Sequence, residues 1–162
     1  MNYVLNHAMK TLDQSIALIP DNQLIFKPEA KLEVMPLADL AYHIYNMAYM
    51  NMKGSLEGKF TDEEDFGDFL LDWRTFNSSE EILAYGNKVK AFMRENLPKL
   101  TEEDLERKIT YSFPQLRWPT FEITGFNSLA TIHEEVVHHR AQIALYLRIM
   151  GIKPPFIYDV AV

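Results

Sequence analysis

The sequence contains no cysteine, and this absence excludes several kinds of chemistry at once. Disulfide bonds, thiolate metal sites and cysteine nucleophiles are all ruled out. The sequence also lacks an HExxH zinc motif, a glycine-rich phosphate loop and a GxSxG nucleophile elbow. Any metal site in this chain therefore has to be built without thiolate ligands and outside these common motifs.

Long apolar runs and basic clusters are missing as well. No apolar stretch approaches the roughly 20 residues that a membrane-spanning helix needs, and the N-terminus lacks the basic start and apolar block of a signal peptide. The net charge is −7, and no Lys- or Arg-rich patch is interleaved with aromatic residues. We therefore expect a cytoplasmic protein that binds neither membranes nor nucleic acid.

The remaining composition is that of an ordinary globular protein. Of the 162 residues, 48% are hydrophobic and 24% are charged. No internal repeat or low-complexity linker divides the chain. The sequence therefore predicts a single domain over residues 1–162, large enough to bury a core.

Apolar residues recur at helical spacing in four long segments. The predicted helices cover residues 2–19, 36–54, 78–97 and from 127 or 128 to 151. Pro36 suits a first helical turn, and Ser78 with Glu81 forms a capping-box pattern. Gly54 and Gly151 are the expected ends of the second and fourth helices, because glycine commonly follows the last helical turn.

The connections between these helices are long. Residues 55–77 are acidic and aromatic, and we expect them to cover the bundle with a short helical piece. Residues 107–113 and 118–123 alternate weakly, which predicts a small β-hairpin that Pro114 and Pro119 restrict to a sheet edge. The predicted fold is all-α, a four-helix bundle with long crossover connections and a small hairpin before the last helix.

The last helix contains three of the five histidines and two glutamates within one stretch, HEEVVHHRAQ. Imidazole and carboxylate are ligands of zinc, nickel, manganese and iron. Glu135 and His139 are spaced i and i+4, so they share a helix face. That face borders the apolar arc of Ile132 and Val136, where a carboxylate is costly unless it is paired or bound to metal.

The second helix carries a histidine on a largely apolar face. His43 lies among Leu40, Ile44 and Met47 on the helical wheel. If this face and the shared face of Glu135 and His139 both point into the bundle, His43 would lie close to those two residues. The result would be a site of two histidines and a carboxylate with coordination positions left open, as in catalytic metal sites. The alternatives are a hydrogen-bonded core histidine and a buried ion pair.

The other histidines are weaker candidates for metal ligands. His138 is offset from the helix face that Glu135 and His139 share. It is therefore a metal ligand, a group that supports a ligand, or a solvated side chain. His133 and Glu134 are predicted to face outward, and His7 is predicted to be a surface or capping residue. The Glu135–His138 spacing matches that of di-iron bundles, but no second pair occurs in the chain.

Several motifs together resemble the DinB/YfiT-like family of four-helix metal-binding proteins. They are the LAYHI sequence around His43, the EVVHHRAQI sequence that begins at Glu135, the following YLRIMG sequence and a trailing Pro-Pro pair. The resemblance extends over nearly the whole chain. Ala141 stands where the family usually has glycine.

The resemblance implies a metal site on two helices. In the family, three histidines typically hold the metal, and their positions correspond to His43, residue 135 and His139. Because residue 135 is glutamate here, the implied ligands are two histidines and a carboxylate, for a divalent ion such as zinc, nickel, manganese or iron. Loss of the metal, with a polar core cluster remaining, is the alternative.

The resemblance also implies a range of activities. Characterised members include metal-dependent transferases and isomerases that use small thiols such as bacillithiol and mycothiol. We therefore expect thiol transfer to or from a small-molecule substrate, with Gln142 and Tyr146 forming hydrogen bonds with a metal ligand or with the substrate. Metal-assisted hydrolysis and a non-catalytic, small-ligand or stress-associated binding bundle are the alternatives, and a homodimer is expected.

Overall fold

The computed structural model describes residues 2–29, 33–113 and 119–156, with side chains from residue 5 onward. Its helices are α1 (Asn2–Ile16), α2 (Leu37–Glu57), α3 (Ser79–Asn96), α4 (Glu102–Glu106) and α5 (Gly125–Ile149). Its strands are β1 (Lys59–Phe60), β2 (Lys108–Tyr111) and β3 (Phe121–Thr124). The four long helices and the hairpin before the last of them were predicted. Within the described ranges, none of the helices has the length and apolar character that crossing a bilayer requires.

Two predicted helix ends are wrong. The first helix ends at Ile16 instead of residue 19, because the following amides of Leu18 and Ile19 bond three residues back, to Ser15 and Ile16, in a tighter turn. The second helix continues to Glu57, three residues past Gly54. Its end is followed by Gly58, whose φ of 79° belongs to the left-handed region that favours glycine.

Gly54 lies inside α2 for a packing reason. A Cβ placed on Gly54 would lie 2.5 Å from the Tyr111 hydroxyl oxygen and 3.0 Å from the carbon that carries it. These distances leave no room for a side chain, so the glycine allows the Tyr111 ring to approach the helix backbone. Gly54 is therefore required by the close contact with Tyr111 and does not mark the end of the helix.

The C-terminal end of α5 agrees with the prediction. Gly151 has a φ of 77°, and its amide donates to the Arg148 carbonyl. The Ile152 amide donates to the Leu147 carbonyl at 2.8 Å. This pair of bonds is the Schellman arrangement, which satisfies the last carbonyls of a helix. The start of α5 is at Gly125, two residues before the predicted start.

The three strands form one small sheet in the order β1-β2-β3. Strands β2 and β3 are antiparallel, with Ile109 opposite Ile123, which confirms the hairpin. Strand β1 is parallel to β2, with Phe60 opposite Tyr111, and was not predicted. Pro114 and Trp118, which entered the hairpin prediction, lie outside the described residues.

Contacts divide the chain into two compact units, with boundaries within α2, α3 and α5 and one in the connection between α2 and α3. One unit contains the described residues of 1–44, 72–86 and 133–162, and the other contains those of 45–71 and 87–132. Fully buried aliphatic side chains of the first unit come from α1, α2, α3 and α5: Leu12, Ile16, Leu40, Ile44, Ile82, Val136, Ile143 and Leu147. Each contributes about 1.5–3 kcal/mol by leaving water. The prediction of a single domain stays a prediction.

The second unit contains a buried polar network around Tyr111. The Tyr111 hydroxyl lies 2.7 Å from Ser128 Oγ, and Ser128 donates to the Asn51 carbonyl at 3.1 Å and to its Oδ1 at 3.0 Å. Because the Ser128 hydrogen points to Asn51, Tyr111 is the donor to Ser128. Burial raises the pKa of Tyr111 to about 12, so its hydroxyl keeps this hydrogen.

Replacement of Gly54 by alanine tests this packing. Alanine normally stabilises a helix interior by about 1 kcal/mol relative to glycine. Here we expect Gly54→Ala to lower the free energy of unfolding by about 1–3 kcal/mol, because the new methyl overpacks Tyr111. The measurement is urea unfolding followed by circular dichroism.

The same substitution in a Tyr111→Phe background is the control. Phenylalanine lacks the oxygen that lies 2.5 Å from the new Cβ, so Gly54→Ala should cost less in that background than in the wild type. An equal cost in both backgrounds, or stabilisation by alanine in the wild type, would contradict this account of Gly54.

Candidate metal centre

His43, Glu135 and His139 come together in the first unit, from α2 and α5. Glu135 Oε2 lies 3.0 Å from His139 Nε2 and 3.5 Å from His43 Nε2. One ligand atom from each residue lies within 4.8 Å of the other two. The two imidazole rings meet edge to face, with their centroids 5.0 Å apart. The three donor atoms therefore converge on one region.

The local sequence explains this convergence. Glu135 and His139 are one turn apart on α5 and lie beside Ile132, Val136 and Ile143, which are buried. His43 lies on α2 between the buried Leu40 and Ile44. The three polar side chains retain exposures of 28% for Glu135, 12% for His139 and 25% for His43. The site thus lies at the edge of a buried face and remains partly exposed to solvent.

The electrostatics of the site favour an ionised carboxylate. Hydrogen bonds from His139 and then from His43 lower the pKa of Glu135 far below its usual range, against the opposing effect of burial. Burial alone lowers the pKa of His139. The hydrogen bonds to Glu135 and Gln142 and the Glu135 charge outweigh it, so the pKa of His139 is raised. Glu135 and His139 therefore stabilise each other as an ion pair.

Gln142 connects His139 with the next histidine. Gln142 Oε1 lies 2.8 Å from His139 Nδ1, and Gln142 Nε2 lies 3.2 Å from His138 Nε2. The His138 side chain is exposed and is not part of the converging group. It nevertheless lies beside the site, because its ring meets the His139 ring edge to face with the centroids 4.7 Å apart. The supporting role predicted for Gln142 and His138 agrees with these contacts but stays a prediction.

Tyr146 lies one turn beyond Gln142 on α5 and makes a different contact. Its hydroxyl donates to the Met35 carbonyl at 3.3 Å, and its ring meets Phe26 edge to face at 6.0 Å. Among the described residues, this hydroxyl bonds to none of the three site residues. Tyr146 therefore anchors the segment that leads into α2, and its predicted hydrogen bond to a metal ligand or the substrate stays a prediction.

Arg140 explains another part of the α5 motif. Its Nη1 donates to the Thr11 hydroxyl at 2.6 Å, and Thr11 is buried on α1. The Thr11 hydroxyl in turn donates to the Ala8 carbonyl at 3.0 Å. Arg140 thus ties α5 to α1 next to the site residue His139. The sequence placed Arg140 in the family motif and on a different side of the helix from Glu135 and His139, but it did not predict this contact.

Asp39 is a residue near the site that sequence reasoning missed. It is half-buried on α2, one turn before His43. Burial raises the pKa of Asp39, while the charges of His43, Arg74 and Lys27 act in the opposite direction. Its i, i+4 spacing to His43 was the signal that could have identified it.

The structure also gives the exposure of Glu134, His133 and His7, the residues that were predicted to lie away from the site. Glu134 is exposed, as its helical phase predicts. His133 and His7 are half-buried instead of lying on the open surface. Neither belongs to the converging group.

The residues present fit a divalent ion. Two imidazole nitrogens and a carboxylate oxygen are donors that suit zinc, nickel, manganese and iron, and three protein ligands leave further coordination positions available. Within residues 2–29, 33–113 and 119–156, His43, Glu135 and His139 are the one group of His, Asp and Glu side chains whose ligand atoms converge in this way. A metal site is therefore chemically feasible here, and the ion's identity is not fixed by the donors.

Known structures share this fold. A DinB-like protein of Bacillus subtilis, YjoA, aligns with a TM-score of 0.69 and 22% identity over 95% of this chain and 96% of that chain. YfiT of Bacillus subtilis aligns with a TM-score of 0.66 and 20% identity over 93% and 85%. YfiT is described as a probable metal-dependent hydrolase with an unusual four-helix bundle topology. These likenesses confirm the predicted four-helix bundle.

A further structure and the family comparison agree. A DinB-family protein of Exiguobacterium sibiricum aligns with a TM-score of 0.61 and 14% identity over 99% of this chain and 92% of that chain. No curated protein matches the sequence. The family model of the DinB superfamily matches residues 5–143. That match spans most of the chain, from α1 to the helix that carries Glu135 and His139, and the protein therefore belongs to the DinB superfamily.

Proposed function

We propose that this protein is an enzyme that depends on a divalent metal ion held by His43, Glu135 and His139. The observation that carries the proposal is the convergence of three donor atoms from two helices within 4.8 Å of one another. Three ligands are typical of catalytic sites, which keep positions open, whereas structural zinc sites are closed by four protein ligands. The partial exposure of all three side chains supports access by a small-molecule substrate.

The reaction that we propose is transfer of a small thiol. A divalent ion would supply Lewis-acid chemistry, lowering the pKa of a thiol or a water molecule that it binds. The family resemblance supports the thiol, because characterised members use small thiols as co-substrates. The protein's own contribution is to hold the ion by three side chains and to present an ionised carboxylate, since the pKa of Glu135 is strongly lowered.

Metal-assisted hydrolysis is the second candidate. It is favoured by one observation, the description of YfiT as a probable metal-dependent hydrolase. Both reactions need the same three ligands and differ in the nucleophile. A bundle that binds a small ligand without turning it over is the alternative from another class, and it predicts that metal loading has no effect on any rate.

Metal binding by single-site variants tests the three ligands. The wild type should bind about one Zn²⁺ per chain, and His43→Ala, Glu135→Ala and His139→Ala should each weaken binding by about 100-fold or more. The measurement is competition with a chromophoric chelator. The matched control is His133→Ala, which removes a half-buried histidine from α5 outside the converging group.

The control variant should bind like the wild type. If no divalent ion binds to the wild type at micromolar concentration, the proposed function is wrong. If Glu135→Ala binds normally while His133→Ala does not, the ligand set on α5 has been assigned incorrectly.

The choice between thiol transfer and hydrolysis can be measured with two assays on the metal-loaded protein. One assay follows the joining of a small thiol to an electrophilic dye, and the other follows hydrolysis of an activated ester without thiol. We expect acceleration in the thiol assay, lost on chelation and reduced by about tenfold or more in His43→Ala. Acceleration of ester hydrolysis alone would support the second candidate, and no metal-dependent rate in either assay would support the binding bundle.

The pH dependence of metal binding follows from the pKa shifts. His139 has a pKa raised above the ordinary value of 6.5, so it keeps its proton to a higher pH than free histidine does. A metal has to displace that proton. Because the neighbouring His43 also has to be unprotonated to bind the ion, the affinity for Zn²⁺ should fall by about tenfold or more per pH unit below the raised pKa of His139.

Glu135 adds no slope near neutral pH, because its lowered pKa keeps the carboxylate ionised throughout this range. The measurement is the Zn²⁺ dissociation constant from about pH 5.5 to about pH 8.5. An affinity that does not change over this range would show that His139 does not bind the ion.

A further inference from the structure

The chain of contacts from His139 through Gln142 to His138 has a defined direction. A glutamine side chain offers one carbonyl acceptor and one amide donor. Gln142 Oε1 lies 2.8 Å from His139 Nδ1, so the nitrogen must donate. In the neutral ring that metal binding requires, the one hydrogen is thereby held on Nδ1, and the lone pair is on Nε2, the nitrogen that lies 3.0 Å from Glu135 Oε2.

The other end of the amide faces His138. Gln142 Nε2 lies 3.2 Å from His138 Nε2, which therefore accepts. If the amide were reversed, its NH₂ group would face His139 Nδ1 and would require that nitrogen to accept. The ring hydrogen would then be on Nε2, the atom that has to bind a metal with its lone pair.

We propose that Gln142 is a positioning residue that selects the metal-binding nitrogen of His139, and that the exposed His138 fixes the orientation of the Gln142 amide. The inference rests on the proposed function, because it concerns the same metal. Helix geometry supports it, since His138 and His139 precede Gln142 by four and three residues and both neighbour it on α5. It gives a role to His138, which lies outside the converging group.

General metal-site chemistry gives the expected size of the effect. A histidine ligand usually donates its second ring N–H to an acceptor, which fixes the ring and makes the ligand nitrogen more basic. Loss of that acceptor weakens metal binding by about 10–100-fold. Gln142 Oε1 is positioned as this acceptor for His139.

Two substitutions at residue 142 separate hydrogen bonding from packing. Gln142→Met keeps the length of the side chain and removes the acceptor, so it should weaken Zn²⁺ binding by about 10–100-fold. Gln142→Glu restores an acceptor and should bind Zn²⁺ at least as tightly as the wild type. Ala141→Glu in the Gln142→Met background adds the same charge at an exposed position without the acceptor, and this control for electrostatic attraction should not restore the affinity as Gln142→Glu does.

A spectroscopic readout distinguishes this role from a structural one. In the Zn²⁺-loaded protein with ¹⁵N-labelled histidine, the Nδ1–H of His139 should exchange slowly with water and give a proton resonance. The resonance should be lost in Gln142→Met, kept in Gln142→Glu, and weakened in His138→Ala. Gln14→Met, a substitution of an exposed glutamine on α1, should leave both affinity and resonance unchanged.

The outcomes separate the two proposals. If Gln142→Met binds Zn²⁺ like the wild type and keeps the resonance, the inference is overturned while the proposed function stands. If Gln142→Glu binds as weakly as Gln142→Met, the side chain acts by packing and the inference is again overturned. If the wild type binds no Zn²⁺, the proposed function fails and the inference fails with it.

Discussion

The contact of one carboxylate with two imidazoles is the constraint on which the site depends. Glu135 is more than two-thirds buried, and a carboxylate in such a place is costly unless it is paired. Its Oε2 meets His139 one turn away on α5 and His43 on α2. Because His43 belongs to another helix, this second contact forms only when α2 and α5 are in one register. The polar group thus specifies how two apolar helix faces align.

Much of the helical framework could be predicted from sequence, and the failures share a cause. Gly54 and Gly58 look alike as helix terminators, and the difference between them is the Tyr111 ring, which is more than fifty residues away. Strand β1 contains two residues, too few for a period, and exists through pairing with β2. The missed helix α4 is a different case, because Thr101 and Asp104 form a capping box that was readable in the sequence.

The site was more predictable than the helix ends. Helical phase on α5 separates Glu135 and His139 from Glu134, and the structure brings Glu135 and His139 together with His43. Phase could not give the contacts of the next layer, because these depend on which side-chain atoms meet. Thus Tyr146 bonds to Met35 instead of a site residue, and Gln142 joins two histidines that sequence reasoning considered separately.

Glutamate at residue 135 also bears on the proposed reaction. A carboxylate ligand neutralises one more unit of the charge of a divalent ion than an imidazole does, so a weaker lowering of a bound group's pKa is expected. A thiol has a free pKa of about 8.5 and needs little lowering to ionise near neutral pH. Water starts at about 15.7 and needs a lowering of many units. Zinc sites with two histidines and one glutamate also activate water in metalloproteases, so this ligand set suits either nucleophile. The order in which thiol transfer and hydrolysis are proposed therefore rests on the family resemblance and not on the charge of the ligands.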